Sequence, residues 1–173
     1  MKVWHDWEFL ENGTTIRPIS VGMIRQDGKE LYRVFSEAPW FEINDNAWLK
    51  ANVLPGLNAT VDNVGSKSEI RTAVTEFLKE AYDKDHKLEL WGWYSAYDHV
   101  CLAQLFGKMI DLPDWCPMLT RDLKQEFLRV HADRSIYIPQ QTTGLHNALE
   151  DARHLKVKHE WFEGYERGIY DML

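Results

Sequence analysis

With 173 residues, 45% of them hydrophobic and 13% aromatic, the chain carries enough apolar material for one domain built around a substantial core, spanning residues 1–173. Its formal net charge of −7 excludes a protein that wraps long nucleic acid on a basic surface, because such binding rests on many phosphate contacts; an acidic enzyme whose clustered carboxylates hold divalent cations stays open. Cys101 and Cys116 form no C-x-x-C pair, and His5, Asp6 and Glu8 interrupt any apolar leader. A reducing, cytoplasmic location with no membrane partner is therefore expected.

In chain order, Lys2 to Leu10 alternates crudely and is rich in β-branched and aromatic residues before an Asn12-Gly13 turn, which predicts a first strand. Thr15 to Ile24 and Leu31 to Phe35, joined through Asp27-Gly28, predict an antiparallel hairpin behind it. Beyond Pro39 the pattern turns helical. A short helix is expected over Asp45 to Leu54, and a longer one over Ser66 to Tyr82 opened by the capping-box pair Ser66 and Glu69. Lys87 to Trp93 predicts a fourth strand. Helices at Ala96 to Phe106, Leu123 to Val130 and Leu145 to Phe162, with a short strand near Met118, complete the chain. Three antiparallel strands followed by alternating helices and strands describe an α/β domain with a mixed sheet flanked by helices. The loop from His131 to Thr143 is a candidate mobile flap.

Three segments carry acids in suggestive places. Asp6 and Glu8 are separated by one residue on the first strand, so both side chains leave the same sheet face roughly 7 Å apart and can share a metal site. D-x-E also occurs by chance in many chains, but the flanking Val3, Trp4, Trp7, Phe9 and Leu10 mark a buried strand, where an unpaired carboxylate is costly. Asp98 sits where a strand gives way to a helix, the place α/β folds reserve for ligands. Ser95 and Asp98 equally match a capping box, which alone would explain this aspartate. On the last helix Asp151 borders the apolar stripe of Leu145, Ala148, Leu149, Ala152 and Leu155 and points towards the sheet. His146, five residues earlier, converges with it only from the loop or first turn; otherwise it pairs with Glu150 on the helix surface.

Taken in order, Asp6-Trp7-Glu8, Tyr97-Asp98 and His146-x-x-x-x-Asp151 resemble the three exonuclease motifs of the DEDDh family, whose fold is RNase H-like, and the His-to-Asp gap matches its histidine branch. Ile19-Ser20-Val21-Gly22, Trp91-Gly92-Trp93 and Ala96-Tyr97-Asp98-His99-Val100 extend the likeness to the bacterial RNase AS group of that family. The resemblance implies a homodimeric 3′-5′ exoribonuclease that shortens single-stranded RNA from its 3′ end, releases nucleoside 5′-monophosphates and prefers adenylate-containing RNA. It implies two ions, Mg²⁺ or Mn²⁺, with Asp6 bridging both, Glu8 and Asp151 completing one shell and Asp98 positioning the other through water. An all-oxygen set suits those metals. His146 would be the general base, a task imidazole suits because it ordinarily titrates near neutrality. Phe9 and Tyr97 would contact the terminal nucleotide.

The sequence departs from the family in two places. Trp7 stands where many members have Thr, and Tyr94 and Ser95 occupy a stretch where many carry Asn. Trp7 is expected to point away from the carboxylates, so the change concerns packing rather than chemistry. Two alternatives remain: a 3′-5′ DNA exonuclease, since the metal chemistry ignores the sugar, and a catalytically silent nucleic-acid-binding module on the same fold.

Overall fold

A computed structural model of the chain describes residues 1–82, 87–130 and 138–167. Three long strands come first: β1 (Lys2–Glu11), β2 (Ile16–Arg25) and β3 (Glu30–Phe35). Helices α1 (Trp40–Asp45) and α2 (Ala47–Asn52) lead to a short β4 (Val64–Gly65) and the long α3 (Lys67–Ala81). The second half alternates: β5 (Glu89–Gly92), α4 (Ala96–Phe106), β6 (Arg121–Asp122), α5 (Leu123–Val130) and α6 (Ala148–Glu166). The strands form one sheet in the order β4-β3-β2-β1-β5-β6. β1 runs antiparallel to β2 and parallel to β5, so the sheet is mixed and β1 is central, as in the RNase H-like fold. Among the described residues no helix is long and apolar enough to cross a membrane.

Both faces are covered, and β1 feeds them alternately. Val3 and Trp7 join Ile19, Val21 and Met23 of β2 in the larger core, beneath α3 and α4. Trp4 and Ile24 join Trp91 in a smaller cluster beneath α5 and α6. This alternation places Trp7 opposite Asp6 and Glu8, as its position predicts: its ring packs 6.2 Å from that of Phe35, and its Nε1 donates to His5 Nδ1 at 3.0 Å.

Several boundaries follow from caps. Ser66 and Glu69 close the expected capping box on α3. The helix expected over Asp45 to Leu54 is instead two short ones and a 3₁₀ turn, because Asn46 adopts extended backbone and its side chain accepts from the N–H groups of Trp48 and Leu49. The strand expected near Met118 is displaced to Arg121–Asp122, a two-residue edge strand paired with β5. The last helix starts at Ala148 rather than Leu145, since Asn147 caps it and His146 has φ +62°. Of the candidate flap, residues 131–137 lie outside the described residues.

Candidate active site

The site begins where β5 stops short of β1. β5 pairs with β1 only from Lys2 to Trp4 and turns away at Gly92, where an added Cβ would lie 2.5 Å from that of Ser95. Further along β1, the N–H of Trp7 therefore faces no strand; Asp98, from the first turn of α4, accepts it at 3.1 Å. The turn that brings Asp98 there is held by Asp122, which accepts from the N–H groups of Tyr94 and Ser95 at 3.3 and 3.1 Å. The capping box suggested by Ser95 and Asp98 does not form: the Ser95 side chain makes no cap bond, and its hydroxyl donates to the Thr120 carbonyl.

From the other side, α6 descends onto β2. Gly22 pairs with Asp6 across the ladder, and a Cβ on it would fall 2.2 Å from the backbone of Ala148 and Leu149. Only the absence of a side chain lets the first turn of α6 touch the sheet at that point. Asn147 fixes the turn, accepting from Leu149 and Glu150 and donating to the Gly56 carbonyl at 2.7 Å. The left-handed His146 then points its N–H at Asp151 Oδ2, 3.0 Å away. His146 thus belongs to the turn before the helix, the geometry that convergence with Asp151 requires. It does not pair with Glu150, whose carboxylate engages Arg153. Trp48 of α2 meets the imidazole edge-to-face, ring centroids 5.0 Å apart.

All five residues of the three motifs line one cleft of about 500 Å³. Glu8, His146 and Asp151 present ligand atoms within 4.8 Å of one another; Asp6 and Asp98 lie outside that trio but face the same space. Phe9 and Tyr97 line it too, as an edge-to-face pair with centroids 5.7 Å apart. Tyr94, like His146, is a non-glycine residue with positive φ, so both left-handed residues of this kind among those described stand at the cleft, where backbone strain tends to concentrate.

The acids are crowded; two are buried, and Asp6 and Asp151 are half-buried. Glu8 is 8% exposed and Asp98 5%. Burial and the neighbouring Asp151 and Asp98 push the Glu8 carboxyl up to about 8. Burial raises Asp98 to about 7 against the opposing pull of the Trp7 N–H, with Asp122 adding to the rise. Asp6 stands well above the carboxylate range through burial and repulsion from Asp98, Glu8 and Asp151. Asp151 is raised by burial and held back by hydrogen bonds from Gln141 and the His146 backbone. Lys158 is a counter-charge to both Asp6 and Asp151.

Sequence reasoning passed over Asp122, Asn147, Gly22 and Lys158. The first two had a signal: an Asp or Asn immediately before a helical run is the usual N-cap, and Asp122 does accept from Lys124 N at 2.9 Å.

Fold and site together define a class: an RNase H-like α/β domain with an acidic, histidine-bearing cleft along the carboxyl half of its central strand. Within it, the chain belongs to the family of the 3′-5′ exoribonuclease Rv2179c-like domain, whose model matches residues 1–161 and so spans every cleft residue named above. It is 38% identical over 155 residues to the 3′-5′ exoribonuclease Rv2179c of Mycobacterium tuberculosis strain H37Rv, covering 88% of each chain. The 3′-5′ exoribonuclease of M. tuberculosis strain CDC 1551 matches with the same identity and coverage.

Proposed function

We propose that this protein is a 3′-5′ exoribonuclease of the DEDDh type, closest in kind to the RNase AS group. It would release nucleoside 5′-monophosphates from the 3′ ends of single-stranded RNA in the cytoplasm, working as a homodimer. One observation carries the reading: Asp6, Glu8, Asp98, Asp151 and His146 share a single cleft in which the acids are crowded and mutually repelling. Family membership and the printed activity of the two mycobacterial relatives point the same way.

The donor chemistry fits divalent metal. Four carboxylates offer hard oxygen ligands of the kind Mg²⁺ and Mn²⁺ take, and their mutual repulsion is of the kind a divalent cation relieves. Asp6 would be shared by two ions, Glu8 and Asp151 would complete one shell, and Asp98 would serve the other through water. When bound, the two ions supply positive charge to the attacking and leaving oxygens of an in-line displacement. The chain's own groups do the rest. His146, its backbone N–H held by Asp151 and its ring set edge-to-face with Trp48, takes a proton from the attacking water. Water attacks the last phosphorus, the bond to the 3′-oxygen of the preceding nucleotide breaks, and that oxygen leaves with a proton. Phe9 and Tyr97 offer ring faces and edges to the terminal nucleotide.

The test offers purified protein 5′-labelled oligo(A), oligo(U) and oligo(dA) with Mg²⁺ or Mn²⁺ and follows product length in time. A ladder descending one nucleotide at a time, fastest on oligo(A), is expected. A 3′-phosphate should block it, because the added charge would be desolvated beside the acids. Equal rates on oligo(A) and oligo(U) would remove the base preference, faster loss of oligo(dA) would make this a DNA exonuclease, and no hydrolysis of any oligomer would leave a silent binding module.

A further inference from the structure

Trp93 is half-buried and lines the cleft, and two ammonium groups approach its ring: Lys158 Nζ at 4.4 Å from the centroid and Lys124 Nζ at 5.3 Å. Lys124 opens α5, and Lys158 lies seven residues after Asp151 on α6, two turns further on the same helix face. Among the described residues neither ammonium has an ion-pair partner. In an acidic protein, two adjacent unpaired cations beside a cleft are out of pattern: like charges repel, and Lys158 is partly desolvated as well. The Trp93 face accounts for part of what holds them, through cation–π attraction. The carboxylates of Asp6 and Asp151 attract Lys158, and Lys124 repels it.

Their level along the sheet assigns them a ligand. α6 runs from the level of Asp6, where its first turn touches Gly22, to that of Trp4, whose Nε1 donates to His159 at 2.8 Å, so Lys158 and the Trp93 beneath it lie on the side of the acids away from Phe9. Phe9 lies three residues beyond Asp6 along β1, about 10 Å away at the rise of a strand. With the terminal nucleotide against Phe9 and Tyr97 and the scissile phosphate at the acids, the Trp93 end of the cleft is where the remaining RNA must leave.

We propose that Lys124 and Lys158, braced on Trp93, form a phosphate site for the nucleotide upstream of the scissile linkage. This rests on the exonuclease reading above and deepens it. A second phosphate there meets two ammonium groups that have no ion-pair partner among the described residues, and their charge offsets the repulsion a polyanion meets at the acid cluster. The site reads no base, so it adds grip rather than sequence preference.

The test compares the dinucleotide ApA, which has only the scissile phosphate, with the trinucleotide ApApA, which adds the upstream one. kcat/KM is measured with Mn²⁺ for wild type, Lys124→Gln, Lys158→Gln and the corresponding Arg variants. The advantage of ApApA over ApA should fall about ten-fold per glutamine substitution and return in the arginine variants, whose charge can hold the phosphate. The salt dependence of ApApA turnover should flatten by roughly 0.7 per lost lysine, the single-strand value for one phosphate contact. An unchanged ratio, with only the melting temperature moved, would show that the lysines merely compensate the acids. Equal loss on both substrates would place them on the scissile phosphate, and either result overturns the proposal. Should wild type cleave neither substrate, the exonuclease reading fails, and calorimetric binding of ApApA against ApA still decides the phosphate site: the glutamine variants must lose the difference between the two.

Discussion

The two faces of β1 do opposite things with the same backbone. Towards α3 and α4 it turns Val3 and Trp7 into a continuous apolar core, and even the histidine between them is reconciled with burial: His5 is fully enclosed, accepts from Trp7 Nε1 and meets Thr120 Oγ1 at 2.9 Å through its other nitrogen. Towards α6 the same strand presents the half-buried Asp6 and the buried Glu8 among further acids, and the second core shrinks to a cluster around Trp4 and Trp91. One face stores stability; the other gives some up to keep a charge arrangement that folding alone disfavours. Adjacent residues on one strand can therefore be mutated with opposite consequences.

The largest effect should come from the pair Asp6 and Trp7. Asp6→Asn is expected to abolish RNA hydrolysis, because a shared ligand that loses its charge cannot hold two cations together. Without metal the same change should raise the melting temperature, by removing one of the mutually repelling acids. Trp7→Ala should cost about 3–5 kcal/mol of stability by opening a cavity in the larger core. Thermal melts and labelled-RNA assays on the two variants check both halves. A folded Asp6→Asn enzyme with near-normal turnover would end the metal assignment.

Next comes His146→Ala, expected to lower turnover by roughly two to four orders of magnitude, the range for losing a general base, while Mn²⁺ binding by the carboxylates persists. The question is sharp because the imidazole stands within ligand distance of Glu8 and Asp151. If calorimetry shows Mn²⁺ affinity lost in step with rate, the histidine is a ligand and the base lies elsewhere.

What the sequence shows of the two faces differs as the faces do. The alternation in β1 and the capping box at Ser66 and Glu69 are local patterns, so the apolar face and α3 can be read directly. The candidate acids are legible because their spacing is, yet what brings them together is long-range. The Ser95-x-x-Asp98 pattern imitates a cap, but the aspartate is drawn to the Trp7 N–H that β5 leaves unpaired, while Asp122 from β6 takes over the turn. The start of α6 reads three residues early, since nothing in a local pattern says that His146 will be left-handed. Lys158 looks like a solvated helix residue until Trp93 is known to lie beneath it.

Gly22→Ala carries the comparison to the backbone. Its Cβ would project into the first turn of α6, so the helix must shift or the strand must twist. Overpacking of this kind typically costs about 1–3 kcal/mol. Displacing Asp151 and His146 by a fraction of an ångström should lower turnover further than that loss of stability implies, because a misplacement of about 1 Å can cost 10²-fold in rate. Gly13→Ala makes the contrast: Gly13 has positive φ but nothing near it, so strain without collision should trim stability and leave turnover alone. Similar losses of rate in the two variants would show that Gly22 is not what seats α6.

The smallest effect is the pH dependence of the metal-free protein, where the acidic cleft and the buried histidines oppose each other. Glu8, at about 8, and Asp98, at about 7, are raised above ordinary carboxylates, so the folded state binds more protons than the unfolded one between about pH 4 and 8. Their contribution is full below the unfolded values and is lost as pH rises through 7 and 8. Burial lowers His5 and His159 to about 3, so the unfolded state binds more protons between about 3 and 6.5, and stability is lost as pH falls through that window. Above pH 6.5 these histidines no longer contribute, and the acids set the trend. The melting temperature measured with chelator should therefore fall between pH 6.5 and 8.5, and Glu8→Gln should flatten that fall. Mg²⁺ should raise the melting temperature most at the alkaline end, where more of the cleft's carboxyls are ionised and bind it better. A metal-free melting temperature that climbs across this range, in wild type and Glu8→Gln alike, would mean that the acids are ionised and paired in the folded protein, and that the cleft is not the strained cluster its geometry describes.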